Sequence, residues 1–408
     1  MSLMHTDYLS ARTAAARLGV SLATLYAYVS RGKIDSRPGP DGRSREYRAE
    51  DVEHLIELRQ AGRGAAQGAA HSLTWGLPVL ETRISLIRPH GQYYRGRSAI
   101  ELADSGASLE DVARLLWESA DDDPFAISPP STWPKPVATL LRQADLSPLE
   151  RTMASLPLLA LTAPHPHSTD AAQRRIGAAR LLRETAALLC AVQPGRQPIH
   201  QLIADHWKRD DPRLPGLVRA ALVLCADHEL NASAFATRVA ASTGASLHAA
   251  ACAGLAALSG PQHGGATARA HALIQQTLLE RDPAGYVRER LRRGEELPGF
   301  GHPLYPDGDP RAALLLRMLA DSRPRPAESV RIQRLVDAVN DNDGRAPSLD
   351  FALAAIASVY ALGADAALSL FAAGRMAGWL AHALEQQENG GLIRPRANYA
   401  GTMPARRD

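Results

Sequence analysis

The segment HPLYPDGDPR, residues 302–311, sets a histidine nine positions ahead of an arginine, across a turn stiffened by three prolines and a glycine. An imidazole can donate or accept a proton near neutral pH, and a guanidinium grips carboxylates with a planar fork. On one loop the two make half of an anion site, or else a connector bearing a solvated charge. Three more polar clusters interrupt apolar stretches: ADHELNASAFATR (226–238), SGPQHGGATARA (259–270) and APSLDFALAA (346–355). Each is a weak signal alone. Together they place His228, His263 and His302 beside small or turn-forming residues, where backbone can approach a ligand closely. Asp350 opens an apolar helix, and arginines recur at Arg375 in AAGRMAGWLAHALEQ and Arg394 in GLIRPRANYAG. No histidine pair has helical i, i+4 spacing around a glutamate, and no H-x-E…C-x-x-C pattern occurs. Arginines crowded about a metal would also be out of place. The set points to an organic polyanion and to acid–base chemistry that needs no metal.

These residues need a scaffold. A chain of 408 residues has room for two or three domains, and abundant alanine with 5% aromatics suits close helix packing. Helical period recurs in LEDVARLLWES, ARLLRETAALLCAV and GLVRAALVLCADHEL, with no convincing alternating strands, heptads or repeats. The expected fold class is mainly α over residues 76–408. A net charge of +3 excludes a polycation, so any nucleic-acid contact must be local. Cys190, Cys225 and Cys252 are scattered without a C-x-x-C pair, which argues against a disulfide framework or zinc knuckle and fits a reducing compartment. With no leader and no apolar run of about 18 residues, a soluble, cytoplasmic protein is expected, with no membrane partner.

Residues 1–60 read as a separate unit, joined by a linker at 61–75. ARTAAARLGV has the spacing of a short helix ended at Gly19. Ser21 is placed to cap a second helix, LATLYAYVS, with Leu22, Leu25 and Val29 on one face. Ile34 and Tyr47 are expected to anchor two short strands about a Pro/Gly turn, before the amphipathic AEDVEHLIELRQ. Helix, turn, helix and basic wing is the layout of a module that reads duplex DNA. Thr24, Tyr26, Ala27, Tyr28 and Arg31 would face outward. From Arg31 to Arg48 six Lys/Arg oppose three Asp/Glu, so that Arg43 and Arg45 could neutralise phosphates. Decoration of an enzyme, or a contact for oligomerisation, is the plainer alternative. The stretches AAARLGVSLATLYAYVSRGKI and REYRAEDV resemble the winged helix-turn-helix domains of MerR-type regulators and phage excisionases over residues 8–58.

The four clusters, their order, the upstream GQYYRGRSAIELADSGASLEDVARLLW and the closing RMAGWLAHALEQ…IRPRANYAG closely resemble citrate synthase from about residue 78 onward. The resemblance implies an almost wholly helical fold with a small domain (roughly 265–360) inserted in a large one. It also implies at least a homodimer, with shared active sites. Asp350 would take a proton from acetyl-CoA while His263 stabilises the enolate, and His302 would donate to the oxaloacetate carbonyl. His228, Arg311, Arg375 and Arg394 would bind substrate, the last lent by the partner subunit, with Asn231 and Ser233 supporting the histidines. Beyond the acyl-CoA co-substrate no cofactor is implied. Two departures weaken CoA binding or helix support rather than chemistry: Thr267-Ala268 where the family usually has Asn-Glu, and Pro306 where many members carry a basic residue. Alternatives are a metabolite-sensing transcription regulator on a repurposed fold, and a synthase taking propionyl-CoA to 2-methylcitrate.

Overall fold

The computed structural model describes residues 8–30, 33–39, 44–49, 51–52, 55–56, 80–119, 122–127, 132–143, 145–207, 210–322, 325–397 and 401–402. The expected linker, Arg31 and Arg43 lie outside them. The chain divides into two compact units, Met1–Glu81 with Pro395–Asp408, and Thr82–Arg394.

In the first unit, β1 (Tyr8–Ser10) leads into α1 (Ala11–Leu18) and α2 (Leu22–Ser30), followed by β2 (Ser36–Pro38) and β3 (Arg45–Arg48). Ser10 caps α1 by accepting from the Thr13 N–H, and Gly19 ends it in the left-handed conformation at φ 61°. Ser21 accepts from the Thr24 N–H at 3.3 Å, the expected cap of α2. The sheet order is β1-β3-β2, all antiparallel. Two strands were expected, and β1 adds a third by pairing Leu9 with Tyr47. Leu18, Leu25, Ile34, Tyr47, Val52 and Leu55 form the core. Two expected orientations are corrected. Leu22 is 40% exposed rather than inward, and Tyr28 leans on this core rather than facing out, because the contact side of α2 runs through Leu25, Tyr28 and Val29.

The second unit opens with a short antiparallel meander, β4 (Ser85–Arg88), β5 (Gly91–Tyr94) and β6 (Arg97–Ser98). No strand was expected here; runs of two to four residues are too short to reveal alternation. Helices then follow: α3 (Ala99–Asp104), α4 (Leu109–Leu116), α5 (Lys135–Leu140), α6 (Pro148–Ala160), α7 (Ala171–Leu189), α8 (Ile199–Trp207), α9 (Leu214–Cys225), α10 (Ala232–Ser242) and α11 (Leu247–Leu258). The remainder are α12 (Gly265–Leu279), α13 (Pro283–Arg292), α14 (Pro310–Ser322), α15 (Pro326–Asp343), α16 (Leu349–Val359) and α17 (Ala364–Asn389).

The axle is α17, 26 residues and so about 39 Å long. Its middle is buried on every side from Leu370 to Ala383, as in a helix enclosed by others, and α9, α10, α11 and α16 pack on it. Its approach to α9 depends on two glycines. A Cβ on Gly374 would lie 2.6 Å from the Leu222 carbonyl oxygen, and one on Gly378 would overlap the Ala226 carbonyl oxygen. Between them Arg375 is driven into the interior. Beyond α17 the chain passes the C-terminal end of α10, where the Ile393 N–H donates to Ser242 Oγ at 3.1 Å.

Candidate active site

Four segments deliver the side chains. The first is the link from α9 to α10. The carbonyls ending α9 are capped from β5: Gln92 Nε2 donates to Leu224 O at 2.9 Å and Tyr94 Oη to Val223 O at 2.8 Å. This frees the chain to turn at Asp227 and His228. Behind His228, the fully buried Asp227 carboxylate accepts a hydrogen bond from Ser85 Oγ. Asp227 Oδ1 also stands 3.2 Å from His382 Nε2, close enough to attract though poorly angled for a hydrogen bond. Asn231 then caps α10, its Oδ1 accepting from the N–H groups of Ser233 and Ala234.

The second segment is the turn between α11 and α12, which holds His263. Its Nε2 lies 2.8 Å from Ser233 Oγ. Trp379 Nε1 donates to the same oxygen at 3.1 Å, and Ser233 Oγ reaches Asn231 Oδ1 at 2.7 Å. The Phe371 ring on α17 meets the imidazole edge-on at 5.8 Å.

The third is the loop 299–311, zipped to residues 346–348: the Gly301 N–H donates to Ala346 O and the Ser348 N–H to Gly299 O, each at 2.8 Å. His302 Nδ1 accepts from the Leu304 N–H at 3.1 Å, which leaves the ring proton of a neutral imidazole on Nε2. Its ring lies 5.3 Å from that of His228. At the loop's end Arg311, 3% exposed, is held bidentate by Asp309, Nε to Oδ1 at 2.9 Å and Nη2 to Oδ2 at 2.8 Å. Asp309 Oδ2 also accepts from the Leu349 N–H, so one carboxylate ties the arginine to the start of α16. There, in the first turn, sits Asp350, the fourth contribution.

Arg375 completes the cluster. It is 2% exposed, Nε donates to Cys225 O at 2.7 Å, the guanidinium lies over the Phe371 ring at 4.7 Å, and its terminal nitrogens make no hydrogen bond among the described residues.

The electrostatics follow from burial around two guanidiniums. Burial, then Arg375, lowers His263 to about 4. Burial and Arg311 lower His302 to about 4, and burial with both arginines takes His228 well below 6.5. All three are neutral at physiological pH. Burial raises Asp350 to about 6; the arginines and the helix N-terminus oppose this without overcoming it.

His228, His263, His302, Arg311, Arg375 and Asp350 are thus brought together, with Asn231 and Ser233 behind His263. Arg394 is not: it is exposed, beside the C-terminal end of α10. Tyr305, Asp309, Gln92, Asp227 and Trp379 were not singled out from sequence. Asp309 and Tyr305 lie inside the loop quoted at the outset, and Trp379 falls one turn after Arg375, so position alone could have flagged those three. In the first unit Tyr26 is 51% exposed and Thr24 partly so, while Arg37 pairs with Glu46 and Arg48 with Asp35. Arg45 donates to Ser36 Oγ.

A helical unit of this architecture matches the fold of solved citrate synthases. The structure from Thermotoga maritima superposes with TM-score 0.66 at 22% identity, covering 81% of this chain and 96% of that one. So does that from Thermoplasma acidophilum, solved with carboxymethyl coenzyme A and oxaloacetate, at TM-score 0.66, 24% identity and the same coverage. The family model "Citrate synthase, C-terminal domain" matches residues 72–396, and "Helix-turn-helix domain" matches residues 8–59. The chain belongs to the citrate synthase family and carries an N-terminal helix-turn-helix domain. It is 31% identical to the citrate synthase of Haloferax volcanii over 361 residues, 80% of this chain and 94% of that protein. It is 39% identical to citrate synthase 2 of Bacillus subtilis over 184 residues, 44% of this chain but only 50% of that protein. With the 2-methylcitrate synthase of Shewanella oneidensis it shares 32% over 216 residues, 52% of this chain and 56% of that protein. Among the described residues no helix is long and apolar enough to cross a membrane.

Proposed function

We propose that the protein condenses acetyl-CoA with oxaloacetate and hydrolyses the resulting thioester, giving citrate and CoA. The observation that carries this reading is the buried, uncommitted Arg375 fork, ringed by three neutral histidines and a carboxylate raised to about 6. A dicarboxylate suits Arg375 and the Arg311–Asp309 clamp. His302, with its proton on Nε2, donates to the keto oxygen as that oxygen gains charge. Asp350 removes the methyl proton of the thioester while His263 steadies the enolate oxygen. Ser233 has one proton and two acceptors, Asn231 Oδ1 and His263 Nε2; when it turns to His263, the imidazole presents Nδ1–H to the thioester. Each charge meets a positioned donor, so we assign no metal and no cofactor besides the acyl-CoA.

Arg394 reaches a site only in a homodimer. Ser233 marks the active-site end of α10 and Ser242 the end beside Arg394, about 14 Å apart at 1.5 Å per residue. That is farther than an arginine side chain extends, so in this reading Arg394 serves the partner's site. The helix-turn-helix unit, with Tyr26 and Arg45 outward, is assigned to duplex DNA.

Likeness to 2-methylcitrate synthases favours a second reading, propionyl-CoA as the donor; a methylene is worth only about 1–3 kcal/mol of discrimination. A thiol-release assay with oxaloacetate and either acyl-CoA tests both. Faster release with acetyl-CoA supports the first reading and faster release with propionyl-CoA the second. Absence of release with both would overturn the assignment.

A further inference from the structure

Tyr305 has no part in the chemistry described above, yet it sits among the groups that do. It is 1% exposed, in the middle of the loop that carries His302 and Arg311. Its hydroxyl lies 3.0 Å from His228 Nε2. Its ring centroid is 4.9 Å from that of His302 and 5.0 Å from Arg311 Cζ.

The phenol has one proton to place. Among the described residues its only hydrogen-bond partner is His228 Nε2. Burial pushes the phenol up to about 12, so it keeps that proton, while His228 is neutral and has one N–H. Were that N–H on Nε2, it would donate to the phenol oxygen and leave the phenol's proton buried without an acceptor, the arrangement folded proteins avoid. With the phenol donating to Nε2, the phenol proton has its acceptor and the imidazole proton moves to Nδ1, which is not among the fully enclosed polar atoms left without a partner. That nitrogen makes no hydrogen bond within the protein among the described residues. The Arg311 cation over the ring strengthens the phenol as a donor.

We propose that Tyr305 is a positioning residue that holds His228 as its Nδ1–H tautomer, so that Nδ1 donates to the bound keto-dicarboxylate. The proposal rests on the reading of His228 as a substrate contact. One loop would then carry the keto-oxygen donor, a carboxylate clamp and the group that orients a second donor on another segment.

The test is ¹⁵N NMR of the full-length protein labelled at histidine, with the His228 signal assigned by its loss in His228→Gln. In the wild type Nδ1 should be protonated and Nε2 bare. In Tyr305→Phe the tautomer should reverse or average, and the oxaloacetate dissociation constant measured by calorimetry should rise about ten-fold, the effect of one misdirected hydrogen bond. A wild-type signal protonated on Nε2 overturns the proposal without any variant, even if Tyr305→Phe does not fold. An unchanged tautomer in Tyr305→Phe overturns it too, since any affinity then lost is lost through packing. A changed tautomer with unchanged affinity refutes the substrate contact at His228 and so the donation step, while tautomer control by Tyr305 stands.

Discussion

Asp350→Asn should abolish turnover and at the same time stabilise the fold near neutral pH. Burial raises this carboxyl from 3.8 to about 6 against the pull of two guanidiniums. The folded chain therefore holds the proton more tightly than the unfolded chain does. Below pH 3.8 both states are protonated and the group is neutral to stability. As pH climbs towards 6 the unfolded state ionises first, so stability falls, and above 6 the full cost is present. At about 1.4 kcal/mol per pKa unit, the gap of about two units sets that cost at about 3 kcal/mol. Asp350 keeps part of its surface open to the site, so screening by solvent makes this a ceiling, and about 1–3 kcal/mol is expected. Asn keeps the shape and removes the charge. At about 2.1 cal/mol/K per residue, a chain of this size should gain roughly 1–3 °C in Tm at pH 7.5. The assay is paired thermal melts of wild type and variant from pH 5 to 8. Their difference should widen with pH and level off above 6.5. A variant no more stable than wild type at pH 8, or a difference that grows towards acid, would refute the argument that burial dominates at this carboxylate.

The same shift should appear in catalysis: kcat/KM falls below pH 6 as Asp350 protonates, and no further limb arises between pH 5 and 8 from His263 or His302, each at about 4. Asp309→Ala strips the clamp from a buried arginine and should cost about 3–5 kcal/mol in denaturant titration; a loss below about 1 kcal/mol would mean that Arg311 finds another partner. DNA binding should weaken with salt, and Arg45→Ala should lower the slope of log K against log salt by about one. Arg37 and Arg48, already paired with Glu46 and Asp35, should contribute less than Arg45. Re-associating Asp350→Ala with Arg394→Ala in equal amounts should restore about a quarter of wild-type activity if sites are shared across a two-fold dimer, and none if they are not.

Features set by neighbours in sequence were legible, and those set by distant partners were not. Gly19 and Ser21 act within three residues, so the first unit's turn could be read directly. The clusters around His228, His263, His302 and Asp350 were visible because each pairs a titratable residue with local turn or helix-start chemistry. The strands β4 to β6 gave no pattern, although β5 places Gln92 and Tyr94 against the end of α9. In α2 the inward side is set by packing against α1 and the core beyond it, and spacing alone misplaced Leu22 and Tyr28. Distance in sequence also hid the supports of the site. Tyr305 meets His228 from 77 residues away, Ser85 meets Asp227 from 142, and Trp379 meets Ser233 from 146. No local pattern encodes such pairs, because they exist only once α17 has drawn α9, α10 and α11 around itself.

The division of charge in the site bears on how it would favour reaction over mere binding. Asp309 pairs directly with Arg311, whereas among the described residues Arg375 makes no ion pair, and Asp227, the carboxylate whose charge it feels most, is also held by Ser85. In the proposed reaction Arg375 is therefore the guanidinium left to take a carboxylate of the substrate. If the histidines were cationic as well, they would grip the bound substrate as tightly as the transition state, and uniform binding does not speed the chemical step. Burial beside two guanidiniums keeps His263 and His302 neutral instead. A neutral N–H bonds weakly to an uncharged carbonyl and much more strongly to the oxyanion that replaces it. In the proposed reaction negative charge develops at two oxygens, that of the enolate and that of the former ketone. His263 and His302 are the two donors assigned to them, so the arginines bind what is charged from the start and the histidines answer charge as it appears.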